Sequence, residues 1–175
     1  ALILLHKPSG FECSQKPKHH PSVLSLLPAP LRERGVQPIG RLDEDTTGLL
    51  LLTDDGSLIH KLTSPKHHVP KVYEARCKHP LTQAAVDQLR QGVDLHEPGG
   101  RSEHVVAEGA EMADEHLLRL TLIEGKYHQV KRMVAAIGNR VETLHRSRFG
   151  ALVLPADLAP GQWQWVPSPR AVWGD

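Results

Sequence analysis

The sequence predicts an α+β fold with a mixed, largely antiparallel sheet and helices packed on it. Two observations carry this prediction. Strand-like segments mostly follow one another directly, and the helical segments enter at irregular intervals, unlike a repeating β-α-β array. The chain of 175 residues carries fourteen glycines and fourteen prolines, so turns are frequent. It is long enough for one domain or two small lobes sharing a core.

The elements follow in order. Ala1–His6 is apolar and reads as a buried strand, closed by the turn Lys7-Pro8-Ser9-Gly10. Ser22 is a candidate cap for a short helix through Leu27, and Pro28 and Pro30 limit its extension. A short extended piece, Val36–Gly40, leads into the charged loop Arg41–Gly48 and a central strand, Leu49–Thr53. Asp54-Asp55-Gly56 closes that strand, and a helix of about two turns then carries Leu58, Ile59 and Leu62. Lys71–Lys78 alternates Tyr73, Ala75 and Cys77 against Val72, Glu74 and Arg76, which is the period of a strand. Thr82 caps a helix carrying Ala85, Val86 and Leu89, ending before Gly92. Residues 93–103 read as loop, and Val105–Met112 and His116–Ile123 as strands. A helix over Tyr127–Ile137 has Gly138 just beyond its end. Val141–Phe149, Leu152–Leu154 and Gln162–Val166 complete the strands, and Trp163, Trp165 and Trp173 are expected in core or edge packing.

Composition excludes several classes. No apolar run approaches the roughly 20 residues of a membrane helix. Cys13 and Cys77 have no metal spacing and form no disulfide framework, which fits a reducing cytoplasm. The net charge of +1 conceals an acidic stretch, net −5 over residues 81–120, followed by a basic one, net +4 over residues 121–148. One basic face of this kind attracts phosphates.

Three segments could carry chemistry. In Gly40-Arg41-Leu42-Asp43-Glu44-Asp45-Thr46-Thr47-Gly48, three carboxylates and an arginine sit in a loop feeding an apolar strand. A loop anchored in this way can hold a carboxylate rigidly, and a neighbouring arginine favours its charged form. Asp43-x-Asp45-x-Thr47 also looks like the phosphotransferase signature of haloacid-dehalogenase-type enzymes. However, the apolar strand that family needs before its first Asp is poor here, and late Mg²⁺ ligands are scarce. The second segment is the helix over Tyr127–Ile137. Val130, Met133, Val134 and Ile137 share one face, while His128, Lys131 and Arg132 lie on the other, with Arg146 and Arg148 on the next strand. The third runs from Pro65 through Lys66, His67 and His68 to Lys71 and Tyr73, placing an aromatic ring beside cations where a base could stack. His60, His67 and His68 lack Cys or carboxylate partners at zinc spacing.

Taken together, and in order along nearly the whole chain, these segments resemble the RsuA-type pseudouridine synthases, which isomerise a uridine in bacterial small-subunit ribosomal RNA. The resemblance rests on GRLDEDTTGLLLLTDDG, PKHHVPKVYEA and LIEGKYHQVKRMVAAIGNRVETLHRSRFG, supported by LLHKPSG and ALVLPADLAPGQW. His6 stands where an Asn is common in the family. The family usually begins with an S4-type RNA-binding domain, and this chain starts at the catalytic domain, expected over residues 1–175. The resemblance implies the pseudouridine synthase fold, with an active-site cleft. It implies Asp43 as the catalytic carboxylate, Lys131 pairing with it, and Tyr73 stacking on the uracil. Arg41, with Leu42 beside it, would help fill the space left when the nucleotide flips out of its stack. Lys71, His128, Arg132, Arg146 and Arg148 would contact RNA. No metal or cofactor is expected, the partner is ribosomal RNA or its assembly particle, and the protein is expected to be a cytoplasmic monomer. Two other readings stay open: a non-catalytic RNA-binding assembly module and the Mg²⁺-dependent phosphotransferase.

Overall fold

The computed structural model describes the whole chain except His68, Glu97, Pro98, Lys126, Tyr127 and Asp175. The chain divides into two compact units: residues 1–69 with 145–175, and residues 70–144.

The first unit is built on β1 (Leu2–Lys7) and β3 (Thr47–Thr53), which pair antiparallel with Leu5 opposite Leu50 and Lys7 opposite Gly48. Short β2 (Gln37–Pro38) joins β3 on its Leu52–Thr53 end. On the other side of β1 lies β11 (Trp163–Trp165). β9 (Val141–Phe149) runs parallel to β3, with Gly48 opposite Arg146, and β10 (Leu152–Val153) folds back on it. The continuous leucine run of β3 follows from burial on both faces. Leu49 and Leu51 pack in one core with Leu2, Leu4, Leu58, Leu62 and Phe149, and Ile3, Leu5, Leu50 and Leu52 are equally buried on the opposite face. The helix behind this core is α2 (Gly56–Thr63), capped by the Asp55 carboxylate, which accepts from the N–H groups of Ser57 and Leu58.

The second unit pairs β4 (Lys71–Cys77) antiparallel with β8 (Leu117–Leu122), which also pairs with β7 (Gly109–Asp114). Leu118, Leu120 and Leu122 point inward while their neighbours are half exposed, the alternation of a sheet buried on one face. That face is covered by α3 (Gln83–Gln91) through Val86 and Leu89, and by α4 (Gln129–Ala136) through Val130, Met133 and Val134. β9 spans the boundary, its first four residues belonging to this unit and its last five to the other.

The expected elements are present with adjustments, and the strand expected over Val105–Met112 begins only at Gly109, as β7. The helix capped by Ser22 does stop before Pro28, but the prolines also begin a further helix, α1 (Ala29–Glu33), because a proline in the first turn lacks only a donor that has no partner there anyway. The helix capped by Ser22 is a single 3₁₀ turn, Val23–Leu26. Residues 93–103 are not all loop, since β5 (Val93–His96) and β6 (Ser102–Val105) form a hairpin with Val93, Leu95 and Val105 buried. Trp165 and Trp173 are exposed at 53% and 40%, so these rings sit at the edge rather than in the core. The helix start expected at Tyr127 lies outside the described residues, and α4 begins at Gln129. No helix among the described residues is long and apolar enough to cross a membrane.

Candidate active site

In the first unit, the acidic loop is held from beneath by a lysine. Lys7 lies on the inward face of β1 with Ile3 and Leu5, and it is completely buried. Its ammonium donates to the carbonyls of Thr46 at 2.7 Å, Glu44 at 2.9 Å and Pro8 at 3.1 Å. Three N–H donors meet three carbonyls, which satisfies the ammonium's donors fully. Burial pushes the Lys7 pKa down, and the nearby Cys13, Glu44, Asp45 and Asp43 offset part of that. Lys7 thus ties the end of β1 to both sides of the turn that presents Asp43.

Further bonds fix the same loop. The Gly10 N–H donates to the Glu44 carbonyl at 2.9 Å, and the Thr46 N–H closes a turn onto the Asp43 carbonyl at 3.0 Å. The Leu42 N–H reaches the buried Cys13 Sγ at 3.5 Å. Burial pushes that thiol's pKa up, keeping it a neutral thiol. The loop then enters β3 through Gly48, at φ +113°. A Cβ there would lie 2.2 Å from the Arg146 carbonyl, so β9 approaches this closely only because the residue is glycine. Asp43 is half-buried at the head of this assembly and Arg41 is exposed beside it.

The second unit carries the other expected catalytic groups. Tyr73 is half-buried on β4, opposite Leu120, and packs against that unit's core. Lys131 is half-buried on α4, on the side away from Val130, Met133 and Val134. Arg132 reaches from the same helix to the His96 carbonyl at 3.3 Å. His128 caps α4 in the left-handed region, at φ 47°, an uncommon conformation for a residue with a side chain. The helix closes on Gly138, at φ +79°.

Three residues expected to meet RNA are placed otherwise. Arg146 is 3% exposed. Its Nε donates to the Leu49 carbonyl at 2.9 Å and its guanidinium lies over the Phe149 ring, so it is an internal strut between β9 and β3. Among the described residues, its Nη2 has no hydrogen-bond partner. Leu42 is buried and anchors the loop through its side chain. Lys71 is 9% exposed, set opposite Leu122 in the β4–β8 ladder. Arg148 does reach solvent, with its Nε on the Gly150 carbonyl.

The sequence reading missed Lys7, although a signal existed. The period-2 rule puts it on the same strand face as Ile3 and Leu5, and a lysine on a buried face must find partners. It also missed Cys13 and Glu12, for which no local pattern exists. Among the described residues, no three His, Cys, Asp or Glu side chains are grouped to hold a metal ion.

Comparison with known proteins agrees with this architecture. The family model for RNA pseudouridylate synthase matches residues 1–136. The chain belongs to this family. It is 44% identical over 162 residues to ribosomal small subunit pseudouridine synthase A of Escherichia coli, covering 93% of this chain and 68% of that protein. The protein of the same description from Vibrio parahaemolyticus is 42% identical over 164 residues, covering 94% and 70%. A crystal structure of a pseudouridylate synthase superposes with a TM-score of 0.85 at 39% identity, over 93% of this chain and 68% of that one. An H/ACA ribonucleoprotein bound to a substrate RNA containing 2′-deoxyuridine shares the fold, with a TM-score of 0.63 at 16% identity over 91% and 50% of the two chains.

Proposed function

We propose that this chain isomerises a uridine of small-subunit ribosomal RNA to pseudouridine, with Asp43 as the catalytic carboxylate. The observation that carries the assignment is the pinning of the Asp43 turn by the buried Lys7, in a chain of this family. The reaction breaks the bond from N1 of uracil to the sugar C1′ and forms one from C5 to C1′. The C5 proton leaves and N1 gains one, so atoms balance without an oxidant, a co-substrate or a metal. Asp43 assists by attacking the sugar C1′ or the uracil C6, or by favouring departure of the base. Tyr73 stacks on the uracil, and Lys131 supplies a cation to the reaction. Arg41, exposed beside Asp43, helps fill the gap left by the flipped nucleotide. His128, Arg132 and Arg148 supply phosphate contacts. The reading carries with it a monomeric, cytoplasmic enzyme.

The test is tritium release from small-subunit ribosomal RNA labelled at C5 of uridine. Wild-type protein is expected to release tritium, and Asp43→Asn to lose more than about a thousandfold in rate with an unchanged melting temperature. A folded Asp43→Asn variant within about tenfold of wild type would remove Asp43 from the chemistry. Activity that vanishes with EDTA on a short unstructured RNA and returns with Mg²⁺ would favour the phosphotransferase reading.

A further inference from the structure

Beside the Asp43 loop, wholly within the first unit, lies a cavity of about 390 Å³. This is within the roughly 300–1,000 Å³ span of small-molecule sites. One wall is residues 13–16, and the other is Gln37, Pro38, Gly40 and Arg41. The lining holds two cations, Lys16 and Arg41, and two side-chain amides, Gln15 and Gln37. It has no carboxylate and no aromatic ring. We propose that this cavity is a subsite for a nucleotide of the RNA next to the target uridine, held through its phosphate by Lys16 and Arg41 and through its base edge by Gln15 and Gln37. The inference rests on the reading of the chain as an RNA-modifying enzyme.

The lining chemistry selects this ligand class. A phosphate alone would need the cations but not the amides. A side-chain amide offers a donor and an acceptor together, the pattern that pairs with the edge of a base. With no aromatic ring in the wall, recognition of the base falls to its edge.

The walls are built, which lowers the ordering cost of binding. The carboxylate of Glu12 accepts from the backbone N–H groups of His20 at 2.7 Å, His19 at 2.8 Å and Lys18 at 3.3 Å. These bonds hold its pKa down at about 2. The Glu12 backbone closes the same loop through Pro21 and Val23, and the Ser22 hydroxyl donates to the Ser14 carbonyl. The His20 ring lies 3.6 Å from the Glu44 carboxylate, within the acidic loop itself. The opposite wall is fixed because Gln37 and Pro38 pair with Thr53 and Leu52 of β3. Cys13 belongs to the cavity wall, and its Sγ accepts the N–H of Leu42, the residue before Asp43. A nucleotide seated here therefore bears on the backbone that presents the catalytic carboxylate.

The test uses ¹⁵N-labelled full chain titrated with the four nucleoside 5′-monophosphates and, separately, with inorganic phosphate. At least one nucleotide is expected to shift the side-chain amide signals of Gln15 and Gln37, and phosphate alone to leave them in place. Equal shifts with phosphate, or none with any nucleotide, would overturn the proposal. In parallel, RNA affinity is read by anisotropy of labelled small-subunit RNA. Gln15→Ala/Gln37→Ala is expected to weaken binding about tenfold, and Lys16→Ala to reduce the slope of log affinity against log salt by about 0.7. Unaltered affinity and slope would also overturn it. Tritium release by wild type in the same preparations separates the two readings. Normal release without nucleotide shifts overturns the subsite alone, whereas absent release overturns the enzymatic reading, and the subsite with it.

Discussion

The two units hold their candidate functional side chains by different means. In the first, Asp43 rides on an irregular turn whose backbone groups are captured one at a time by Lys7, Gly10 and Cys13. In the second, Lys131 rides on α4, which satisfies its own backbone and needs only an apolar face, Val130, Met133 and Val134, to fix it. A turn without repeating hydrogen bonds must borrow partners from elsewhere in the fold, whereas a helix brings its own. The turn should therefore be vulnerable to single polar or backbone changes, and the helix to loss of packing volume.

The largest expected effect comes from Gly48→Ala. The added Cβ would meet the Arg146 backbone and force a side chain into φ +113°. Chemical denaturation should show a loss of about 4 kcal/mol or more, or failure to fold. A loss below about 1 kcal/mol would mean that β3 and β9 can separate freely. Next, Lys7→Met leaves two carbonyls of the acidic turn without their ammonium. The expected cost is about 3–5 kcal/mol by denaturation, together with a fall of at least about a hundredfold in tritium release at temperatures where the variant is folded. Folded protein with full activity would show that the turn holds its shape unaided.

Met133→Ala sharpens the contrast. Met133 is fully buried in the second unit's core, and its truncation should cost about 2–4 kcal/mol. Activity per folded molecule should fall much less than in Lys7→Met. An activity loss as deep as that of Lys7→Met would erase the distinction between the two modes of support.

The smallest effect concerns Glu12. Its pKa is lowered to about 2 in the folded chain by the bonds it accepts from Lys18, His19 and His20. A depressed carboxylate contributes stability above its ordinary value near 4.5 and loses it as pH falls from there toward 2. Melting temperatures of wild type and Glu12→Gln should therefore converge on acidification through that window, with wild type higher near neutrality. Parallel curves would show that the carboxylate's charge does not hold the loop.

Much of this was legible in the chain itself. The leucine run of β3, the alternation in β4 and β8, and the face of α4 follow from periodicity, because a buried face repeats at the pitch of its element. Asp43 stood out because three carboxylates and an arginine precede a strand too apolar to be anything but core. The hairpin of β5 and β6 was missed because its strands are four residues each, too short to establish a period, and β6 opens with three polar residues in a row, Ser102, Glu103 and His104. Arg146 was misjudged because a charged residue reads locally as surface, and only the ladder between β9 and β3 turns it inward.

The sequence by itself determined strands β1, β3, β4, β8 and β9, the apolar faces of α2, α3 and α4, the caps at Ser22 and Thr82, and the side chains whose chemistry suits RNA. Those properties are local, set by side-chain periodicity, capping groups and composition. Only the tertiary structure decided that Lys7 is a buried strut, that Gly48 admits a second backbone, that Arg146 faces inward, and that Gln15, Lys16, Gln37 and Arg41 line one cavity. Each of these depends on residues far apart in the chain, and on buried polar groups that must find partners wherever the fold brings them.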